Sequence, residues 1–221
     1  MRRSFSSLGA AVIVVMLLVS PAAAELLGVL PGFPTLTYDS NGTTSYNSTT
    51  DTMSLIASPI AIRFTPSSAP HLVMPTGSPA QEVLQLGGFI NDTGGVAGGV
   101  SGDDLIVIGE VDGDDPDTLP DYSGVLLTGE ILQFGFEDTG TSTDRYDFRF
   151  ALTGGQLASF FSGMDIGVVV TSENSNFVDS FTVDFIGGAK GALGPIEVPE
   201  PATLGLILMA GLSLARPLRR R

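Results

Sequence analysis

The sequence predicts an all-β protein, a single antiparallel β-sandwich of the jelly-roll kind. Three observations predict it. Short apolar stretches alternate with clusters of Gly, Asn, Asp, Ser and Thr along the body of the chain. The chain has 28 Gly and 14 Pro, and many of those in the body fall between the stretches, as turns do among many short strands. Residues 145–152 alternate strictly, with Tyr146, Phe148, Phe150 and Leu152 on one side and Arg145, Asp147, Arg149 and Ala151 on the other. A period of two marks a half-buried strand.

The elements follow in order. Residues 35–38 alternate and stop at Asp39-Ser40-Asn41-Gly42, where Asn-Gly predicts a hairpin turn because both turn positions want positive φ. Residues 43–46 would return, and 53–57 and 60–64 follow, split by Ser58-Pro59. Residues 65–80, rich in Pro and Ser, read as a long loop around His71, and 82–90 as the next strand. A Gly-rich connection, 91–102, leads to the apolar run 105–108, expected to be a central strand covered on both faces. An acidic loop, 112–121, precedes a long strand over 124–136. Residues 154–161 suit one or two helical turns, and 166–171 and 177–186 close the sandwich. The domain then spans 25–187, with a flexible Gly-rich linker at 188–197.

Both ends of the chain read as addresses. Arg2 and Arg3 precede an apolar stretch, 8–19, which ends in Ser20-Pro21-Ala22-Ala23-Ala24. This is the pattern of a signal peptide, residues 1–24, with Ala22 and Ala24 as the small residues that signal peptidase reads before cutting after Ala24. Arg2-Arg3-Ser4-Phe5 leaves twin-arginine export open beside the general secretory route. At the other end, Val198-Pro199-Glu200-Pro201 is followed by an apolar run, 202–215, and by Arg216, Arg219, Arg220 and Arg221. As a helix the run spans about 20 Å, short of a hydrocarbon core of about 30 Å. It is a short transmembrane helix whose arginines would stay cytoplasmic. The two prolines hold the motif extended at the outer boundary, where a membrane-embedded protease or transpeptidase could take it.

The three-part order over residues 198–221 resembles the PEP-CTERM sorting signal of exported bacterial proteins. The resemblance implies handling by an exosortase, an intramembrane cysteine transpeptidase, with removal of the tail at or near Val198, Pro199, Glu200 and Pro201. It also implies an inner-membrane intermediate and then a place on the cell surface or in the extracellular matrix of a Gram-negative-type bacterium, in association with exopolysaccharide. The plainer reading of the same residues is an ordinary C-terminal tail anchor.

Charge narrows the partners. The chain has 10 Lys+Arg and 24 Asp+Glu, net −14. Six arginines lie in the two addresses and one acid, Glu200, lies in the tail, which leaves residues 25–198 with 4 basic and 23 acidic groups, net −19. Such a body repels nucleic acid and anionic lipid and favours divalent cations. With no Cys, disulfides are excluded and stability rests on core burial.

The acidic loop is the candidate metal site. Glu110, Asp112, Asp114, Asp117 and Asp121 offer oxygens at spacings that suit Ca²⁺. The loop departs from an EF-hand at Asp115, where Gly belongs, at Pro116, and at Asp121, where Glu belongs. The bland alternative is a solvated acidic loop. Catalysis finds little in the sequence: His71 is the one histidine, no Gly-x-Ser-x-Gly elbow occurs, and the Gly-rich stretch 94–99 lacks a phosphate loop's Lys. Carboxylate pairs involving Glu130 or Glu137 keep a glycan hydrolase as a third reading. The expectation is a non-catalytic structural or interaction protein, with a carbohydrate- or Ca²⁺-binding module as the alternative and Tyr38, Tyr46 and Tyr122 as possible sugar platforms.

Overall fold

The computed structural model describes residues 25–113 and 119–196, and these are all-β, with no α-helix among them. The strands are β1 (Thr35–Asn47), β2 (Thr52–Ala57), β3 (Pro59–Arg63), β4 (His71–Met74), β5 (Val83–Ile90), β6 (Val96–Gly98), β7 (Leu105–Val111), β8 (Tyr122–Glu137), β9 (Thr143–Gly154), β10 (Asp165–Glu173) and β11 (Phe185–Ile196). A single 3-10 turn, Ala158–Phe161, lies between β9 and β10.

Every strand pairing is antiparallel. Strand β1 pairs with β3 through its first half (Thr35↔Arg63) and with β2 through its second (Asn47↔Thr52), so β2 and β3 form one stave broken at Ser58. Strands β4 and β5 share the next position in the same way, with β4 on β3 and β5 on β2. Both then lie on β7. Residues 75–82 between them are an excursion, closed at its neck by reciprocal Thr76–Gln81 backbone bonds of 2.8 and 2.7 Å. Strands β7 to β11 pair with their neighbours in sequence, and β11 returns to β1, from Leu36↔Leu193 to Tyr46↔Phe185.

The result is a closed up-and-down barrel of eight staves, with β6 as a short addition on β5. The all-β expectation holds, but the sheet closes on itself where a sandwich was expected. Alternation is the same in both architectures, and closure depends on the β1–β11 seam between opposite ends of the domain.

Eight staves enclose a space that side chains can fill. At one rim, residues 174–184 fold inward as a plug. Phe177 and Phe181 are buried there among Tyr46, Phe136, Tyr146 and Phe185. Most of their contacts are edge-on, with Phe136–Phe181 at 4.9 Å and Phe177–Phe185 at 4.7 Å. Leu36, Ile62, Leu84, Val107, Leu126 and Leu193 continue the core toward the other rim.

Four local expectations change. Asn41-Gly42 sits inside β1 at a bulge, where a Cβ on Gly42 would come within 2.7 Å of the Ala189 carbonyl. The hairpin turn falls at 47–51 instead, where Asn47 Oδ1 accepts the amides of Thr49 and Thr50 at 2.9 and 3.1 Å. His71–Met74 is a strand within the expected loop. Residues 177–184, expected to be strand, form the plug, because aromatic spacing serves insertion as well as alternation. Residues 188–196, expected to be linker, belong to β11.

That Gly-rich stave is glycine for steric reasons. A Cβ on Gly191 would lie 1.9 Å from the Val169 carbonyl and 2.7 Å from the Tyr38 hydroxyl. The Tyr38 hydroxyl crosses there to donate to Val169 O at 2.7 Å.

Ahead of β1, residues 25–32 form a strap over the outside of β8, β9, β10 and β11. Asp147 points outward from β9 yet is 3% exposed, because the strap covers it. Its carboxylate accepts the amides of Leu27 at 2.9 Å and Val29 at 3.1 Å. Glycine keeps the track flat. A Cβ on Gly135 would meet Glu25 O and Leu27 N at 2.7 Å, one on Gly167 would meet Val29 at 2.5 Å, and one on Gly194 would meet Gly32 O at 2.4 Å. Gly32 N donates to Pro195 O at 2.8 Å before the chain turns into β1.

Candidate functional site

The rim away from the plug carries the groups best arranged to hold a ligand. The chain after β3, the start of β4, the start of β8 and the 3-10 turn meet there around an open cleft of about 310 Å³. Phe64, Tyr122 and Phe160 form its aromatic side, with Phe64–Phe160 at 5.1 Å and Tyr122–Phe160 at 5.7 Å. Phe160 is held up by the 3-10 turn and stays 38% exposed, while Phe161 beside it is buried in the core.

Polar groups face these rings. His71 lies edge-on to Phe64 at 5.5 Å. Its Nδ1 is 3.0 Å from the Asp112 carbonyl oxygen. A carbonyl only accepts, so Nδ1 carries a proton and donates it here. Asp121 uses Oδ2 to accept the Gly113 amide at 2.6 Å, tying the two ends of the acidic loop together. Thr65 and Ser68 add hydroxyls to the lining. Apolar rings beside carboxylate, imidazole and hydroxyl groups suit a ligand with both C–H faces and hydroxyls.

The sequence-predicted site residues fall in several places. Glu110 lies in β7 opposite Ser123, Asp112 follows that strand, and Asp121 lines the cleft. Asp114 and Asp117 lie outside the described residues, as do Ala22, Ala24 and Val198, Pro199, Glu200 and Pro201. Among the described residues, no three His, Asp or Glu side chains converge as metal ligands. Of the three tyrosines, only Tyr122 lines the cleft. Tyr38 and Tyr46 are core residues, each 3% exposed. Burial pushes Tyr38 upward, and desolvation with the nearby Asp51 charge pushes Tyr46 up to about 12.

The carboxylates considered for hydrolysis are elsewhere. Desolvation and the neighbouring Asp104 and Asp103 push Glu130 upward. Asp104 is itself committed to structure, accepting Val100 N at 2.5 Å and Ile131 N at 2.8 Å. Glu137 pairs with Arg145 at 3.4 Å on the surface. Phe64 and Phe160 carry no local sequence signal, because the cleft draws one ring from each of three distant segments.

No family model, no curated protein and no solved structure matches this chain.

Proposed function

We propose that the chain is an exported, non-catalytic protein of the cell surface or extracellular matrix, sorted through its C-terminal motif and associated with extracellular polysaccharide. One observation carries this reading. The barrel is complete at Ile196, which is buried at the end of β11 and separated from Val198 by Glu197 alone. All eight staves lie within the described residues and precede the motif in sequence. A motif that follows a closed barrel in sequence is suited to be a removable label. Mass spectrometry of the mature protein tests this. An N-terminus at Glu25 and a C-terminus near Val198–Pro201 are expected, and a mature chain still carrying Arg221 would sink the sorting reading.

The aromatic cleft favours a second reading, in which the protein holds saccharide directly. Tyr122 and Phe160 would stack on sugar C–H faces while Asp121 and His71 take hydroxyls. A glycan array should give hits that fall at least tenfold in Tyr122→Ala and Phe160→Ala, and an array without hits removes this reading. Ca²⁺ at the acidic loop is tested by titration calorimetry of wild type against Asp121→Asn. Absence of both heat and a melting shift would dismiss it.

A further inference from the structure

We infer that docking of the strap withholds residues 25–29, the chain that directly follows the signal-peptide cut, so that the chain must be cut before its barrel folds. The inference rests on the reading of residues 1–24 as a signal peptide cut after Ala24.

The geometry is specific. The bond to be cut joins Ala24 to Glu25. In the folded barrel the Glu25 carbonyl already lies against Gly135, where even a methyl group would come within 2.7 Å of it. Two residues on, the Leu27 amide is bonded to Asp147, and two further on so is the Val29 amide. A protease takes its substrate as an extended peptide and reads residues on both sides of the cut. Residues 25–29 cannot lie in a protease groove and on the barrel wall together. The two sites compete for one segment, with no spacer between the cut and the docked chain.

This bears on the route of export. Twin-arginine export carries folded proteins, so cleavage on that route would follow strap docking. The general secretory route threads the chain unfolded and presents residues 22–29 before the barrel exists. The strap therefore favours the second route, despite Arg2-Arg3-Ser4-Phe5.

The test uses the full precursor with purified signal peptidase in mild detergent. In one arm the precursor is refolded first, and in the other it is diluted from urea directly into the enzyme. The refolded wild type should be cut at least tenfold more slowly than the freshly diluted chain. Asp147→Ala removes the acceptor of both strap amides, and Gly135→Ala places a methyl group under the strap. Both variants, refolded, should be cut within about twofold of the diluted arm. Circular dichroism and resistance of the barrel to a general protease establish that they are folded. Equal cleavage of refolded and diluted wild type overturns the inference. If neither arm is cut after Ala24, the signal-peptide reading itself fails and the inference falls with it.

Discussion

Asp147→Ala should loosen the strap and lower the stability of the whole barrel. Asp147 accepts two amide hydrogen bonds while almost fully buried. Hydrogen bonds to a charged group contribute about 1.5–3 kcal/mol each, which bounds the loss at about 3–6 kcal/mol. The freed amides return to water once the strap lifts, so the cost stays near the lower bound, about 3 kcal/mol. For a domain of this size that corresponds to a fall of about 6–12 °C in melting temperature. Asp147→Asn keeps one acceptor oxygen and turns an NH₂ toward the other amide, so it should fall between wild type and Asp147→Ala. Thermal melts give the global number. Hydrogen exchange at Leu27 and Val29 gives the local one, and both amides should exchange much faster in the variant. A melting shift under about 2 °C together with unchanged exchange at these two amides would refute the assignment of Asp147 as the clasp.

Other outcomes follow from separate parts of the wall. Gly191→Ala places a methyl group 1.9 Å from Val169 O and should cost at least about 3 kcal/mol by chemical denaturation, with an unshifted midpoint counting against the steric account. Tyr38→Phe loses the 2.7 Å bond to Val169 O and should cost about 1–2 kcal/mol. Burial raises Tyr38, Tyr46 and Tyr146, so their neutral forms are favoured in the folded state. Their contribution is complete below the unfolded tyrosine value of about 10 and is lost as pH rises. Tyr46, at about 12, sets the window between pH 10 and 12, where stability should fall, less steeply in Tyr46→Phe. Asp144 is buried, its Oδ2 has no hydrogen-bond partner, and burial raises its carboxyl. Burial therefore disfavours its charged form more in the folded chain than in the unfolded one, and Asp144→Asn should melt higher at pH 7, with the advantage shrinking as pH falls toward the unfolded aspartate value of about 4.

The class of the fold was legible because side-chain alternation is local. The pattern at 145–152 places Tyr146, Phe148 and Phe150 in the core, as the structure does. It could not show that Asp147, on the polar side, would be buried by a segment more than a hundred residues away. The stretch 188–196 failed for a related reason. Locally its glycines suggest flexibility, but they make room for Tyr38 and for the strap, which a reading of neighbouring residues cannot see. The plug looks like a strand in sequence because Phe181, Val183 and Phe185 copy a strand's period while only Phe185 enters one. For the cleft, Tyr122, His71 and Asp121 were visible as residue types, but their meeting with Phe64 and Phe160 belongs to the barrel's rim.

The seam between β1 and β11 also sets the tempo of folding. It joins Leu36 to Leu193, so the first stave cannot find its last neighbour until nearly the whole domain has been made. Hairpins such as β8–β9 can form early, but each remains an open sheet with a bare edge. Ring closure must wait for the far end, and contacts of such long range slow the search. A ribosome delivering this polypeptide from its N-terminus therefore releases a thread whose ring stays open until the final stave emerges.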